Sequence, residues 1–422
     1  MRHLTDISNI CTVVLSLGDL GRPVMDSHRH TAVDSLSKKE RAMSQAKKKG
    51  AATQSVSRRG LLRVAAGAVA VGAAMRPRRA SAQEKFTLKF QSGFPPKEPF
   101  HLIGADWAKK VDEMSGGRLK IDLLPGGAVV PPFQVLDAIH TGTLDGGVGV
   151  PAYWFGKQVA FSLFGTGPSW GLDAEQMLGW IYHGGGQQLY DELVQKELKL
   201  DVQSFFLAPM PTQPLGWFKK GEIQKPEDLK GIKYRTVGLS ADLFKQLGSS
   251  VVILPGAEIV PALDRGVIDG AEWNNTSSDL TLGLQDVCKT YMVQSHHQSC
   301  EYLEILFNKK KLEALPAELK AIVRYSIMAE SADMSWKFQD WNSRDLEELK
   351  NKHKVKVAKT PRPVLDAQLK AWDALIVEKS KDNPFFTKVM ESQKAWAKRV
   401  AVWQQEIMVD QSPAYEHFFK KA

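Results

Sequence analysis

The sequence predicts an α/β protein built as a two-lobed clamp, with a cleft between the lobes and long helices at its carboxyl end. Three observations carry this. Residues 85–150 read strand, helix, strand, helix, strand, an order that gives a largely parallel sheet. The unit then recurs. "LLPGG" (Leu123–Gly127) leads to "DAIHTGTLDGG" (Asp137–Gly147), and "ILPGA" (Ile253–Ala257) leads to "PALDRGVIDGA" (Pro261–Ala271), at offsets of 130 and 124 residues. Beyond Lys309 apolar residues fall at helical spacing. A repeat at this distance implies two similar lobes and not a solenoid. Ligands of open α/β sheets bind past the carboxyl ends of the strands, so two facing lobes make a cleft there.

The 422 residues allow two or three domains. The formal net charge of +9 belongs to the start of the chain. Residues 1–82 hold 15 Lys+Arg and 5 Asp+Glu, leaving 41 basic against 42 acidic residues for the rest. The basic balance therefore gives no argument for nucleic acid. "SRRGLLR" (Ser57–Arg63), the small apolar run Val64–Met75 and "ASA" (Ala80–Ala82) follow in the order of a twin-arginine export signal, with cleavage expected after Ala82. Twelve apolar residues span about 18 Å as a helix, too short for a bilayer core of about 30 Å. Met43 is a plausible start. The exported chain, Gln83–Ala422, is expected in the periplasm and keeps Cys288 and Cys300. Two cysteines do not make a disulfide scaffold; they form either one bridge or two buried thiols.

The elements follow in order. "KFTLKFQSGF" (Lys85–Phe94) alternates as a half-buried strand, and "HLIGADWAKKVDEMSGG" (His101–Gly117) is a helix with a Gly-Gly stop. "RLKIDLLPGG", "PPFQVLDAIHTG" and "TLDGGVGV" are strand, helix and strand. The glycine after each repeated helix, Gly142 and Gly266, supplies the left-handed residue that a tight helix-to-strand turn needs. "KGIKYRTVG" (Lys230–Gly238) rises as a strand from a turn-rich stretch. The five tryptophans after Lys309 (Trp336, Trp341, Trp372, Trp396, Trp403) are expected to pack the C-terminal helices, and the last helix could form a dimer surface.

Several motifs could carry chemistry. "GPSWG" (Gly167–Gly171) fits the nucleophile elbow of a serine hydrolase. Ser169, however, follows a Gly/Pro loop, and the next helix more naturally starts at Asp173, capped toward Gln176. "HGGGQQ" (His183–Gln188) lacks the lysine of a phosphate loop and reads as a helix end. His296-His297 has no third histidine at a zinc spacing. Arg235 is different. It falls near the carboxyl end of its strand, and its side chain suits a bidentate grip on a carboxylate. Tyr153, Gln213 and "EWNN" (Glu272–Asn275) also border strand ends. Together they read as a polar cleft lining. The alternative is that Arg235 and Glu272 form a structural salt bridge between neighbouring strands.

At these residues the chain resembles the solute-binding proteins of tripartite ATP-independent periplasmic (TRAP) transporters, and within them the subgroup binding 2-oxo acids and other small monocarboxylates with a metal ion. The resemblance covers most of Gln83–Gln405 and rests on "EMSGGRLKIDLLPGG", "DAIHTGTLDGG", "YHGGGQQLYDEL", "QPLGWFKK", "DLKGIKYRTVG", "LPGAEIVPALDRGVIDGAEW" and "LEILFNKKKLEALP". It implies a periplasmic-binding-protein-like clamp. One lobe is expected from 83–209 plus 298–340 and the other from 210–297, with 341–422 as C-terminal helices packing across both. It implies that Arg235 holds the ligand carboxylate, that Gln213, Glu272 and the Trp273 carbonyl bind a cation, Na⁺ or Ca²⁺, and that Tyr153 faces the ligand with Glu304 nearby. It implies no chemistry, delivery to membrane subunits, and a small organic carboxylate (2-oxo or 2-hydroxy) as cargo. A periplasmic serine hydrolase using Ser169 and a sensor receptor with the same pocket are the alternatives.

The cation has its own physical argument. A carboxylate at Arg235 adds a second negative charge near Glu272. Two like charges about 4 Å apart repel by about 4 kcal/mol at an effective dielectric of about 20, half of the roughly 8 kcal/mol that micromolar binding is worth. A hard cation between them turns repulsion into attraction, and acid, amide and carbonyl oxygens suit Na⁺ or Ca²⁺. A protonated Glu272, or Glu272 paired with Arg235, would serve instead. The sequence departs from the subgroup at Ala152, often a tyrosine, and at Asn274 and Asn275, where smaller or apolar residues are usual. Asn274 is expected to face the ligand.

Overall fold

The computed structural model describes residues 84–420. The expected twin-arginine segment and its cleavage site lie outside the described residues. The first sheet holds β1 (Phe86–Ser92), β2 (Leu119–Leu124), β3 (Gly146–Gly149), β4 (Val202–Met210) and β10 (Glu301–Asn308). The second holds β5 (Gly216–Phe218), β6 (Lys233–Arg235), β7 (Ser250–Val252), β8 (Gly270–Ala271), β9 (Thr290–Val293) and β11 (Lys356–Lys359). Their orders are β2-β1-β3-β10-β4 and β7-β6-β8-β5-β9-β11, one pattern used twice. In each, three parallel strands meet one antiparallel strand that arrives from the other sheet. That strand is β10 in the first sheet and β5 in the second. The chain thus crosses between sheets at residues 211–215 and 294–300, and a third time through the helices between β10 and β11.

The repeat is built from the Asp-Gly pair. Asp145 donates its N–H to the Lys89 carbonyl at 2.9 Å, and its Oδ2 accepts the Lys89 N–H at 2.9 Å. Asp269 does the same with Lys233, at 2.7 Å and 3.1 Å. The glycine that follows lets an aromatic ring lie against the strand. A Cβ on Gly146 would stand 2.1 Å from Phe90 Cζ, and one on Gly270 2.7 Å from Phe218 Cδ1. Gly142 and Gly266 take φ of 81° and 72°, the left-handed turn expected from the sequence.

Helices cover both sheets. They are α1 (Pro99–Ser115), α2 (Val135–His140), α3 (Ala174–His183), α4 (Gly186–Glu192), α5 (Ser240–Gln246), α6 (Gly256–Asp264), α7 (Thr276–Leu282), α8 (Leu284–Val287) and α9 (Lys309–Glu313). After them come α10 (Ala317–Asn351), α11 (Arg362–Lys381), α12 (Pro384–Ile407) and α13 (Ser412–Phe419). Asp173 caps α3 in a reciprocal box with Gln176, which ends the Gly/Pro loop where the sequence placed its end. At 35 residues, α10 is about 52 Å long. It buries Leu319, Val323 and Ile327, and Trp107 of α1 donates its Nε1–H to Ser326 Oγ at 3.0 Å. Further along, Asn342 Oδ1 accepts the Ser277 N–H of α7 at 3.0 Å. One helix therefore touches elements of both sheets. Asp106, Glu330 and Asp333 cluster between α1 and α10, but Lys110 and Lys337 pair with them, so this cluster is an ion network that fastens the helices.

Two features differ from expectation. Strand β11 breaks the helical tail, because Val355 and Val357 alternate with lysines beside β9. Trp336 and Trp403 are 68% and 55% exposed. Of the five tryptophans, Trp372 is buried in the core, donating its Nε1–H to the His296 carbonyl at 2.7 Å, while Trp341 and Trp396 pack partly buried at its edge. Cys288 and Cys300 are buried free thiols. Among the described residues no helix is long and apolar enough to cross a membrane.

Candidate functional site

The site forms where strand ends of both sheets and the crossings at 211–215 and 294–300 meet. The crossings touch directly, Gln213 donating its N–H to the Gln298 carbonyl at 3.1 Å. Arg235 ends β6 and is 1% exposed. Its Nε and Nη2 donate to the Leu254 carbonyl at 2.9 and 2.8 Å. Its Nη1 donates to the Glu272 carbonyl and to Glu272 Oε1, both at 2.9 Å. Four of the five guanidinium N–H groups are thus engaged, and one on Nη2 remains. The salt bridge between strands that the sequence left open is present. It does not exhaust the pair. Glu272 Oε2 is buried and makes no hydrogen bond of good geometry, with the Thr236 hydroxyl near the carboxylate, and burial raises the Glu272 pKa against the pull of Arg235 and Thr236.

"EWNN" divides its work residue by residue. The Trp273 ring lies 5.4 Å from the Arg235 guanidinium and reaches the first sheet's side, 6.0 and 6.3 Å from the rings of Phe100 and Phe94. Gly256 makes room for it: a Cβ there would stand 2.4 Å from the indole. Asn274 donates its Nδ2–H to Glu301 Oε2 at 2.6 Å. Asn275 is the N-cap of α7, its side chain accepting the Ser278 N–H. That is a structural task.

Arg235, Trp273, Tyr153, Gln298 and Glu301 line one small cavity of about 10 Å³, room for about one water. Tyr153, in the turn after β3, points a buried, unpartnered hydroxyl. Gln213 donates its Nε2–H to Glu301 Oε2 at 2.7 Å and leaves its Oε1 buried and unpartnered. Gln213 Oε1 and Glu272 Oε2 are therefore two orphaned hard acceptors, the donor type that Na⁺ or Ca²⁺ takes. The chemistry of these two donors fits a cation, and neither Gln213 nor Glu272 lines the small cavity itself.

Glu304 is set apart from this group. It accepts the Trp154 Nε1–H at 2.9 Å inside the first sheet and does not line the cavity. The acid that does is Glu301, three residues earlier and so on the other face of β10, ahead of a register shift between Glu301 and Leu303. Burial, then the Glu272 charge, push its pKa up to about 8. Sequence reasoning missed it, although "EYLEILFN" shows two acids in one apolar strand. It also missed Gln298, whose two amide atoms are buried and unpartnered, and Glu98. Glu98 caps α1 and accepts from Ser278 Oγ at 2.6 Å and Trp273 Nε1 at 3.4 Å. Burial raises its pKa to about 7.

Ser169 has no catalytic surroundings. It is buried in a short 3-10 turn, with φ of 57°, and its Oγ donates to the Gly167 carbonyl at 3.4 Å. His297 Nδ1 pairs with Ser295 Oγ at 2.7 Å instead. The segment before the motif, Val159–Phe164, is 3-10 helix and not a strand. The serine-hydrolase alternative has neither elbow nor base and is not supported.

Two α/β bodies exchanging strands, with a buried arginine and polar groups gathered at their meeting strand ends, define a receptor that holds a small solute between lobes. Residues 90–382 match the family described as bacterial extracellular solute-binding protein, family 7, and the chain belongs to this DctP family of TRAP solute-binding proteins. It is 33% identical over 309 residues to the monocarboxylate 2-oxoacid-binding periplasmic protein all3028 of Nostoc sp. PCC 7120, covering 73% of this chain and 83% of that one. It also resembles a TRAP periplasmic solute-binding protein of Pseudoalteromonas atlantica with bound sodium and pyruvate: 29% identity, TM-score 0.73, covering 80% of this chain and 100% of that one. A third likeness is to a TRAP transporter solute-binding protein of Bordetella bronchiseptica: 27% identity, TM-score 0.73, covering 80% and 98%. That protein is a mixed-occupancy dimer with copurified calcium and picolinate at one site.

Proposed function

We propose that this chain is an exported receptor that captures a small 2-oxo or 2-hydroxy monocarboxylate together with Na⁺ or Ca²⁺, closes on it, and passes it to the membrane subunits of a TRAP transporter without altering it. The observation that carries the proposal is two orphaned acceptors, Gln213 Oε1 and Glu272 Oε2, the second on a carboxylate paired with a buried arginine that has an N–H to spare. In this reading Arg235 binds the carboxylate, Gln213, Glu272 and the Trp273 carbonyl hold the cation, and Tyr153 and Asn274 complete the ligand's surroundings. A bidentate grip by Arg235 requires Glu272 to turn its Oε1 away.

A cavity of about 10 Å³ is smaller than any such acid, so capture requires the lobes to part. The moving units are 83–209 plus 298–340 and 210–297, with α11 and α12 packed across them. Export through the twin-arginine route, with cleavage after Ala82, completes the reading. The test is a thermal-shift screen of small acids with and without added metal, on wild type and Arg235→Ala. Wild type is expected to be stabilised by 2-oxo acids and Arg235→Ala not at all. Equal stabilisation of both proteins removes Arg235 from the site.

A further inference from the structure

Outside the cavity lies a larger space that the receptor reading does not use. It is a groove of about 420 Å³, between the turn after β3 and the second sheet's strand ends. Its walls are Phe133, Ala152, Tyr153, Phe155, Val237 and Ile253. Tyr153 and Val237 line the cavity as well, so the two spaces share a wall.

The groove is close to the carboxylate end of the site. Val237 follows Arg235 by two residues, a reach of at most about 7 Å. Ile253 precedes Leu254, whose carbonyl holds Arg235. Ile253 is 48% exposed, and Ala152 is buried under the groove. The charged groups of the groove, Asp137 and Lys157, pair with each other at 2.6 Å. The groove therefore offers apolar surface to a ligand and no unpaired charge.

Resting on the receptor reading above, we infer that this groove takes the hydrocarbon tail of the bound acid, so that the preferred cargo is a 2-oxo acid with three or more tail carbons and not one of pyruvate size. Each methylene moved from water into an apolar site is worth about 0.8 kcal/mol, which is about fourfold in affinity. Three methylenes separate pyruvate from 2-oxohexanoate, and the gain is therefore about 60-fold. Ala152 and Ile253 set the specificity, since a larger or charged residue at either position fills or wets the groove.

The experiment is isothermal titration of the exported chain with pyruvate, 2-oxobutanoate, 2-oxopentanoate and 2-oxohexanoate, in one buffer containing Na⁺ and Ca²⁺. Wild type is expected to tighten stepwise along the series. In Ile253→Lys, a change at a surface position, the ratio of pyruvate Kd to 2-oxohexanoate Kd is expected to fall below about 10. Pyruvate binding as tightly as 2-oxohexanoate overturns the inference and leaves the receptor reading standing. An unchanged ratio in Ile253→Lys overturns it too, because the tail then lies elsewhere. Failure of every acid to bind overturns both.

Discussion

Arg235 illustrates how one residue serves two readings. A buried ion pair contributes little net stability, but removing one partner strands the other at about 3–5 kcal/mol. Arg235→Ala is therefore expected to lower the melting temperature as well as the ligand response, and the two effects are read separately. His297 gives a cleaner stability test. It is buried, and burial pushes its pKa down to about 3, while the unfolded chain protonates it near pH 6.5. Between those values the unfolded state binds more protons, so stability is full above about pH 6.5 and falls as the pH drops toward 3. Relative to His297→Gln, wild type is expected to lose about 2–3 kcal/mol between pH 7 and pH 4.5. Urea unfolding of both proteins at the two pH values measures this, and a constant difference would contradict it. Glu98 and Glu301, whose pKa values are raised, change stability in the opposite direction in both proteins and cancel in the comparison.

At the scale of elements, the repeated Asp-Gly turn is the part of the fold most legible in the sequence. It is legible because its causes are local: a left-handed glycine, an aspartate that closes onto the neighbouring strand, and a glycine under an aromatic ring. Both copies are needed for their sheets but they are not equally tight. A Cβ on Gly146 meets Phe90 Cζ at 2.1 Å and the Leu306 carbonyl at 2.5 Å, whereas one on Gly270 meets Phe218 Cδ1 at 2.7 Å and the Trp217 carbonyl at 3.0 Å. Overpacking of this kind costs about 1–3 kcal/mol. Gly146→Ala is expected at or above the top of that range and Gly270→Ala within it, in equilibrium unfolding; the reverse order would mean that the two turns are not packed alike. What the sequence hid is long-range. Glu304 and Glu301 look equivalent in "EYLEILFN", and only the pairing of β10 with β4 decides which one reaches the cavity. Gln298 and Glu98 matter because the crossings and α7 pass beside them, and no local pattern signals that. Asn275 looked like a pocket residue and is a helix cap.

At the scale of the whole molecule, residues 403–419 form an arm that the core does not cover among the described residues. Trp403, Ile407, Met408, Tyr415, Phe418 and Phe419 are all more than half exposed, and α13 has no buried residue. Apolar surface of this extent marks an interaction site, and a second copy of the chain is the partner we propose. Light scattering of the exported chain is expected to give a dimer, and the double variant Trp403→Glu, Phe418→Glu a monomer; a monomeric wild type would contradict the proposal.

In the proposed function acid and cation occupy the clamp together, each strengthening the other's binding because Glu272 and the ligand carboxylate share the cation. Such coupling is reciprocal. The direct measurement is titration of pyruvate into metal-stripped protein in potassium buffer, repeated with Ca²⁺ or Na⁺ added. Affinity is expected to be at least about tenfold higher with the cation. The same affinity with and without it would mean that no cation bridges Glu272 and the ligand.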